Sequence, residues 1–158
     1  GIIGTEGTVG SGIHASYLKR LDPEITVYGK ACPLFVPLVE EGWTHDPVTD
    51  EVARRYLKEL QDEQVDTLIL GCTHYPLLRS TIRRIMGEEV RPVNPAYETA
   101  LELGRLLERE DLSGDENVQE DFPYRFYVSD LAEKFKDFAN SILPYNVEKT
   151  QKIDIEKY

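Results

Sequence analysis

The chain has 158 residues, a formal net charge of -11 and 41% hydrophobic residues, enough apolar content at this length to close a core, which excludes disorder of the whole. So negative a field repels phosphate backbones and anionic lipid surfaces, which argues against nucleic-acid or membrane partners; any anionic ligand needs a local pocket of donors. No apolar run approaches the roughly 20 residues that span a bilayer, no signal-peptide pattern opens the chain, and two cysteines are too few for a disulfide framework, so a soluble cytoplasmic protein with free thiols is expected.

The chain opens at Gly1, without Met, and runs at once into Ile2 and Ile3. We therefore expect a piece of a longer protein, cut at the start of a buried strand. Short apolar runs closed by Gly or Pro predict strands at Gly1 to Gly4, Ile25 to Tyr28, Thr67 to Leu70 and Glu89 to Val93. Between them the apolar spacing turns helical. Thr49 is the expected N-cap of a helix whose stripe is Val52, Ala53, Tyr56, Leu57 and Leu60. A second helix is expected from Tyr75, with Pro76 in its first turn, Leu78, Ile82 and Ile85 inward, Arg79 and Arg83 outward, and Gly87 as its stop. Strands alternating with helices predict an α/β fold with a parallel sheet.

After Val93 a helix is expected over about Tyr97 to Glu108, then a solvated loop from Glu108 to Asp121 with seven acids and one base. Tyr124 to Val128 reads as a strand, Leu131 to Leu143 as an amphipathic helix carrying Phe135, Phe138 and Ile142, and Asn146 to Tyr158 as a loose tail.

Chemistry concentrates at Leu70-Gly71-Cys72-Thr73-His74-Tyr75-Pro76, where a strand gives way through a polar triplet to a helix start. In parallel α/β sheets ligands bind where strands end at their carboxyl edge, and helix N–H dipoles there favour a thiolate. The alternative is a buried structural Cys with a capping Thr and a half-exposed His. Cys-x-His is also half of a metal site, but Cys32 and His45 lie far off with no paired spacing, so no metal is expected.

Two other stretches follow strands. In Gly4 to Gly12, Thr5, Thr8 and Ser11 are candidate donors to a small anion, with a flexible strand-to-helix turn as the bland alternative. Gly10 to Ala15 fits the dinucleotide pattern only formally, because no acid lies at the required offset of about 20 residues, and the P-loop lacks its Gly-Lys-Ser/Thr. In Ala31 to Gly42, Cys32 reads as a small core residue, while Glu40 or Glu41 is either exposed or orients His74, two readings the residues leave open. His14 and His45 fit a helix surface and a loop.

The motif Leu70-Gly71-Cys72-Thr73-His74-Tyr75-Pro76-Leu77-Leu78, with Gly4-Thr5 at a strand end and Cys32-Pro33-Leu34-Phe35-Val36-Pro37-Leu38-Val39-Glu40, resembles glutamate racemase from Gly1 to about Leu107. Related aspartate racemases usually carry Glu at the position of His74. The resemblance implies two similar α/β lobes, each supplying one cysteine to opposite faces of the substrate α-carbon, without a cofactor, for peptidoglycan precursor synthesis. By the same resemblance Cys72 is the acid/base of the second lobe, Thr73 and His74 contact glutamate or tune the thiol, Thr5 and Thr8 line the substrate site, and Glu40 assists His74.

Nothing here corresponds to the family's Asp-Ser-Gly and Cys-Asn-Thr segments, which carry the first cysteine. The resemblance therefore implies residues 1–94 as the second catalytic lobe and 95–158 as a return segment that completes the missing first lobe. Asn94 also stands where the family usually has an acid, at the interlobe hinge. The expected partners are glutamate, the missing N-terminal half of the same enzyme and, where the family dimerises, a second copy; the chain alone is expected to be inactive. From about Tyr97 onward the apolar faces then need some other cover. The alternatives are a racemase or lyase of another small carboxylate such as aspartate, and a noncatalytic truncated remnant.

Overall fold

The computed structural model describes residues 1–114 and 124–157, which divide into two compact units, Gly1–Asp111 and Leu112–Tyr158. The first is an α/β unit built on a four-stranded parallel sheet. Its strands are β1 (Ile2–Gly4), β2 (Gly29–Ala31), β3 (Thr67–Leu70) and β4 (Arg91–Val93), in the order β2-β1-β3-β4. All three pairings are parallel, with Ile2 opposite both Gly29 and Ile69.

β1 and β3 are the inner strands; β1 is buried throughout, while β3 alternates, with Leu68 and Leu70 buried and Thr67 and Ile69 half-buried. Ile2, Ile3, Leu68 and Leu70 form the core with Leu57 and Leu60 on one flanking helix, with Leu78 in the turn after β3, and with Ile82 on the helix that follows that turn. The continuous burial of β1 is what a strand in the middle of a doubly covered parallel sheet requires.

Six helices belong to this unit. After β1 come α1 (Glu6–Gly10) and α2 (Ile13–Leu21), and after β2 come α3 (Phe35–Glu40) and α4 (Pro47–Asp62). β3 leads through a 3-10 turn at Tyr75–Leu78 into α5 (Arg79–Met86), and β4 into α6 (Pro95–Arg109). α5 ends at Gly87, whose φ of 96° suits a residue without a side chain.

Several expectations are corrected. The second strand lies at Gly29–Ala31, not at Ile25 to Tyr28; Ile25 is exposed, and the strand is fixed by pairing with β1, where the Ile2 N–H donates to the Tyr28 carbonyl at 2.8 Å. α4 begins two residues before Thr49. Asp46 is its cap, accepting from the Val48 N–H at 2.7 Å with Pro47 behind it, and Thr49 is instead buried, donating to the Trp43 carbonyl at 2.6 Å. α6 does not find other cover. It has no buried residue, and Tyr97, Leu101, Leu103 and Leu106 stand exposed.

The second unit pairs β5 (Phe126–Val128) in parallel with β6 (Thr150–Lys152), with α7 (Ala132–Ile142) between them in sequence. The expectation of a loose tail is thereby corrected within 146–157. Val147 is buried, its N–H donates to Asn140 Oδ1 at 2.6 Å, and β6 and a 3-10 turn at Ile155–Lys157 follow. Of the expected acidic loop, 115–121 lie outside the described residues, as does Tyr158.

Candidate functional site at the carboxyl edge of the sheet

Gly71 closes β3 and brings it against β1. Its N–H donates to the Ile3 carbonyl at 2.7 Å, and a Cβ at this position would stand 2.8 Å from that oxygen. Only glycine allows so close an approach. Cys72 is therefore delivered at the carboxyl edge, half-buried and free. The following turn is held by the Tyr75 N–H donating to the Cys72 carbonyl at 3.2 Å.

His74 is the centre of the site. Its Nδ1 lies 3.9 Å from Cys72 Sγ and 3.4 Å from Thr73 Oγ1, and its Nε2 lies 3.3 Å from Glu40 Oε1. A carboxylate, an imidazole and a thiol thus stand in line. The imidazole thereby bridges the carboxylate on one side and the thiol on the other. Glu40, at the last residue of α3, is the one of the two adjacent glutamates that makes this contact.

Cys32 has the opposite environment. It is fully buried, its Sγ donates to the Lys30 carbonyl at 3.6 Å, and burial pushes its thiol up to about 12. This is the small core residue that the sequence suggested. Its backbone does reach the site, because the Cys32 carbonyl accepts from the Tyr75 hydroxyl at 2.8 Å. Tyr75, which the sequence marked only as a helix start, is fully buried. Its burial was signalled by nothing in the local pattern.

The glycine-rich stretch after β1 turns at once into the short helix α1. Thr5 caps α1, accepting from the Thr8 N–H at 3.3 Å, and the two hydroxyls are 3.0 Å apart. Ser11 Oγ donates to the Thr8 carbonyl at 2.8 Å. Thr8 still borders the edge that carries Cys72, since its methyl would lie 3.7 Å from a Cβ on Gly71. His14 lies on α2 and His45 in the loop before α4. Among the described residues no three His, Cys, Asp or Glu side chains come together as a metal site.

Two cavities occur elsewhere. One of about 430 Å³ lies in the first unit between Leu34, Val48 and Tyr56, and another of about 1000 Å³ is lined by residues of the second unit only. Neither is lined by Cys72 or His74.

A thiol, an imidazole and a carboxylate thus meet at the carboxyl edge of a parallel sheet, the edge where α/β proteins as a class bind their ligands. The chain matches no protein-family model. It is similar over its whole length to glutamate racemases. It is 46% identical over 143 residues to that of Geobacter metallireducens, covering 90% of this chain and 52% of the relative, and 42% identical over 158 residues to that of a Thermoanaerobacter species, covering 100% and 59%. Among solved structures, a glutamate racemase isoform of Bacillus anthracis superposes with a TM-score of 0.88 at 33% identity, covering 98% of this chain and 56% of that one. The Francisella tularensis glutamate racemase, solved in complex with D-glutamate, gives 0.87 at 31%, covering 99% and 58%. In sequence and in fold the chain is related to glutamate racemases, and it spans a little over half the length of the curated relatives it matches.

Proposed function

We propose that this chain is the part of a cofactor-independent glutamate racemase that carries one of two acid/base thiols, Cys72, and that the parent enzyme interconverts L- and D-glutamate. The observation that carries the reading is the line from Glu40 through His74 to Cys72 at the sheet edge. In one direction the Cys72 thiolate takes the α-proton, the C–H electron pair passes to the α-carbon and the adjoining carboxylate, and an acid on the opposite face returns a proton. In the other direction the Cys72 thiol gives its proton. His74, steadied by Glu40, holds the charge balance of the thiol, and Thr73, Thr5 and Thr8 offer donors to the substrate.

Inverting a stereocentre needs a base on one face and an acid on the other. Cys32 does not fit the second role, being fully buried with its thiol pushed up to about 12. The opposite acid/base is supplied from outside this site, by a facing lobe that the family pattern assigns to the other half of the enzyme. On this reading residues 1–94 are one catalytic lobe and 95–158 return to the facing lobe, where the two-stranded β5–β6 sheet offers an edge for further parallel strands. The 158-residue chain alone has one base and does not turn over.

By the same family pattern the D-glutamate serves peptidoglycan precursor synthesis in the cytoplasm, with a homodimer as a further assembly. No described helix is long and apolar enough to cross a membrane.

The test is protection of Cys72 from alkylation in the complete enzyme. D-Glutamate is expected to protect it and D-aspartate to do so less; stronger protection by aspartate transfers the activity to that substrate, and protection by neither supports a noncatalytic remnant. Cys72→Ser is expected to abolish racemisation while leaving the thermal midpoint in place.

A further inference from the structure

Glu40 and His74 reach their contact from separate elements. His74 sits on the turn after β3, and Glu40 ends α3, which starts at Phe35 after β2. Between these elements lies a set of buried contacts centred on Tyr75. Its hydroxyl donates to the Cys32 carbonyl at 2.8 Å, and its ring meets Phe35 edge-on at 5.2 Å and 88°. Phe35 in turn meets the Tyr56 ring at 5.4 Å and 86°, while the Tyr56 hydroxyl accepts from the Leu34 N–H at 3.3 Å.

A phenylalanine would fill the same volume as Tyr75, so its hydroxyl contributes direction rather than bulk. Burial pushes the phenol above its ordinary 10.0, which keeps it a donor at any working pH. The carbonyl it fixes lies three residues before Phe35, the first residue of α3.

We infer that Tyr75 is a positioning residue that, through the Cys32 carbonyl and Phe35, fastens the turn bearing His74 to the helix bearing Glu40 and so sets the reactivity of Cys72. The inference rests on the racemase reading above, because it presupposes that His74 governs the Cys72 thiol.

The experiment follows iodoacetamide modification of Cys72 by peptide mass spectrometry, as a pH profile, in the 158-residue chain. His74→Gln tests the foundation: it is expected to move the rise in alkylation to higher pH, and an unmoved profile sinks both this inference and the thiol–imidazole reading. With that shift in hand, Tyr75→Phe is expected to slow alkylation at neutral pH about threefold, the scale of one weak coupling within a contact network. Glu40→Gln should slow it at least as much, and Tyr75→Phe added to Glu40→Gln should change nothing further. A Tyr75→Phe profile identical to the wild type, or one that adds fully to Glu40→Gln, overturns the inference and leaves the His74 reading standing. Tyr56→Phe, at the half-buried end of the same contacts, replaces Tyr75→Phe should that variant not fold; there too an unshifted profile overturns it.

Discussion

Two cysteines follow two parallel strands of one sheet, Cys32 after β2 and Cys72 just beyond β3, yet their surroundings are opposite. Cys32 is sealed, its thiol pushed up to about 12, and Cys72 is half-buried within 3.9 Å of an imidazole. The difference teaches that a strand end does not by itself decide a thiol's surroundings; how deeply the next element covers it does. The loop after β2 contributes through its backbone, giving a carbonyl to Tyr75 and leading into the helix that ends at Glu40.

The largest effect that would break this contrast is alkaline. The Cys32 thiol has an ordinary value of 9.0 and about 12 when folded. The unfolded chain therefore releases its proton first. Stability attributable to Cys32 is intact below 9.0 and declines as pH rises toward about 12, by about 1.4 kcal/mol per pH unit and about 4 kcal/mol across the window. Tyr75, raised by burial, acts in the same direction. Denaturant melts at stepped alkaline pH should show this slope lessened in Cys32→Ala, and an unchanged slope would mean that Cys32 is not sealed.

Next in size is selectivity. Iodoacetamide at neutral pH should modify Cys72 at least about 100-fold faster than Cys32 in the native chain, since access and thiolate character act together. Comparable rates would erase the contrast. Smaller again is the backbone difference just before each cysteine. Gly71→Ala places a methyl 2.8 Å from the Ile3 carbonyl oxygen and should cost about 2 kcal/mol in urea melts, in the range of overpacking. Its counterpart Ala31→Gly should cost only about 0.5 to 1 kcal/mol, the added freedom of glycine in a strand.

The inner strands β1 and β3 were legible because their sequences are almost continuously apolar, with Ile2, Ile3, Leu68 and Leu70 buried. β2 was displaced because it is an edge strand whose position is set by hydrogen bonding to β1, not by the apolar residues Ile25 to Tyr28. β6 was hidden for a related reason: Thr150–Lys152 is polar, and only its pairing with β5 makes it a strand. The start of α4 turned on Asp46 and Pro47 together, a capping pair that outweighed Thr49, whose hydroxyl went to Trp43.

Sequence alone determined that a thiol, a hydroxyl and an imidazole leave one strand end together, because they are neighbours in the chain and local order suffices for that. It also marked Glu40 in the motif without separating its surroundings from those of Glu41. Tertiary structure decided that Glu40 meets His74, that Cys32 is sealed while Cys72 is not, and that Tyr75 joins the two loops. Those outcomes depend on which strands lie side by side and how closely their ends approach, and a distance between residues more than thirty positions apart is fixed only when the sheet closes.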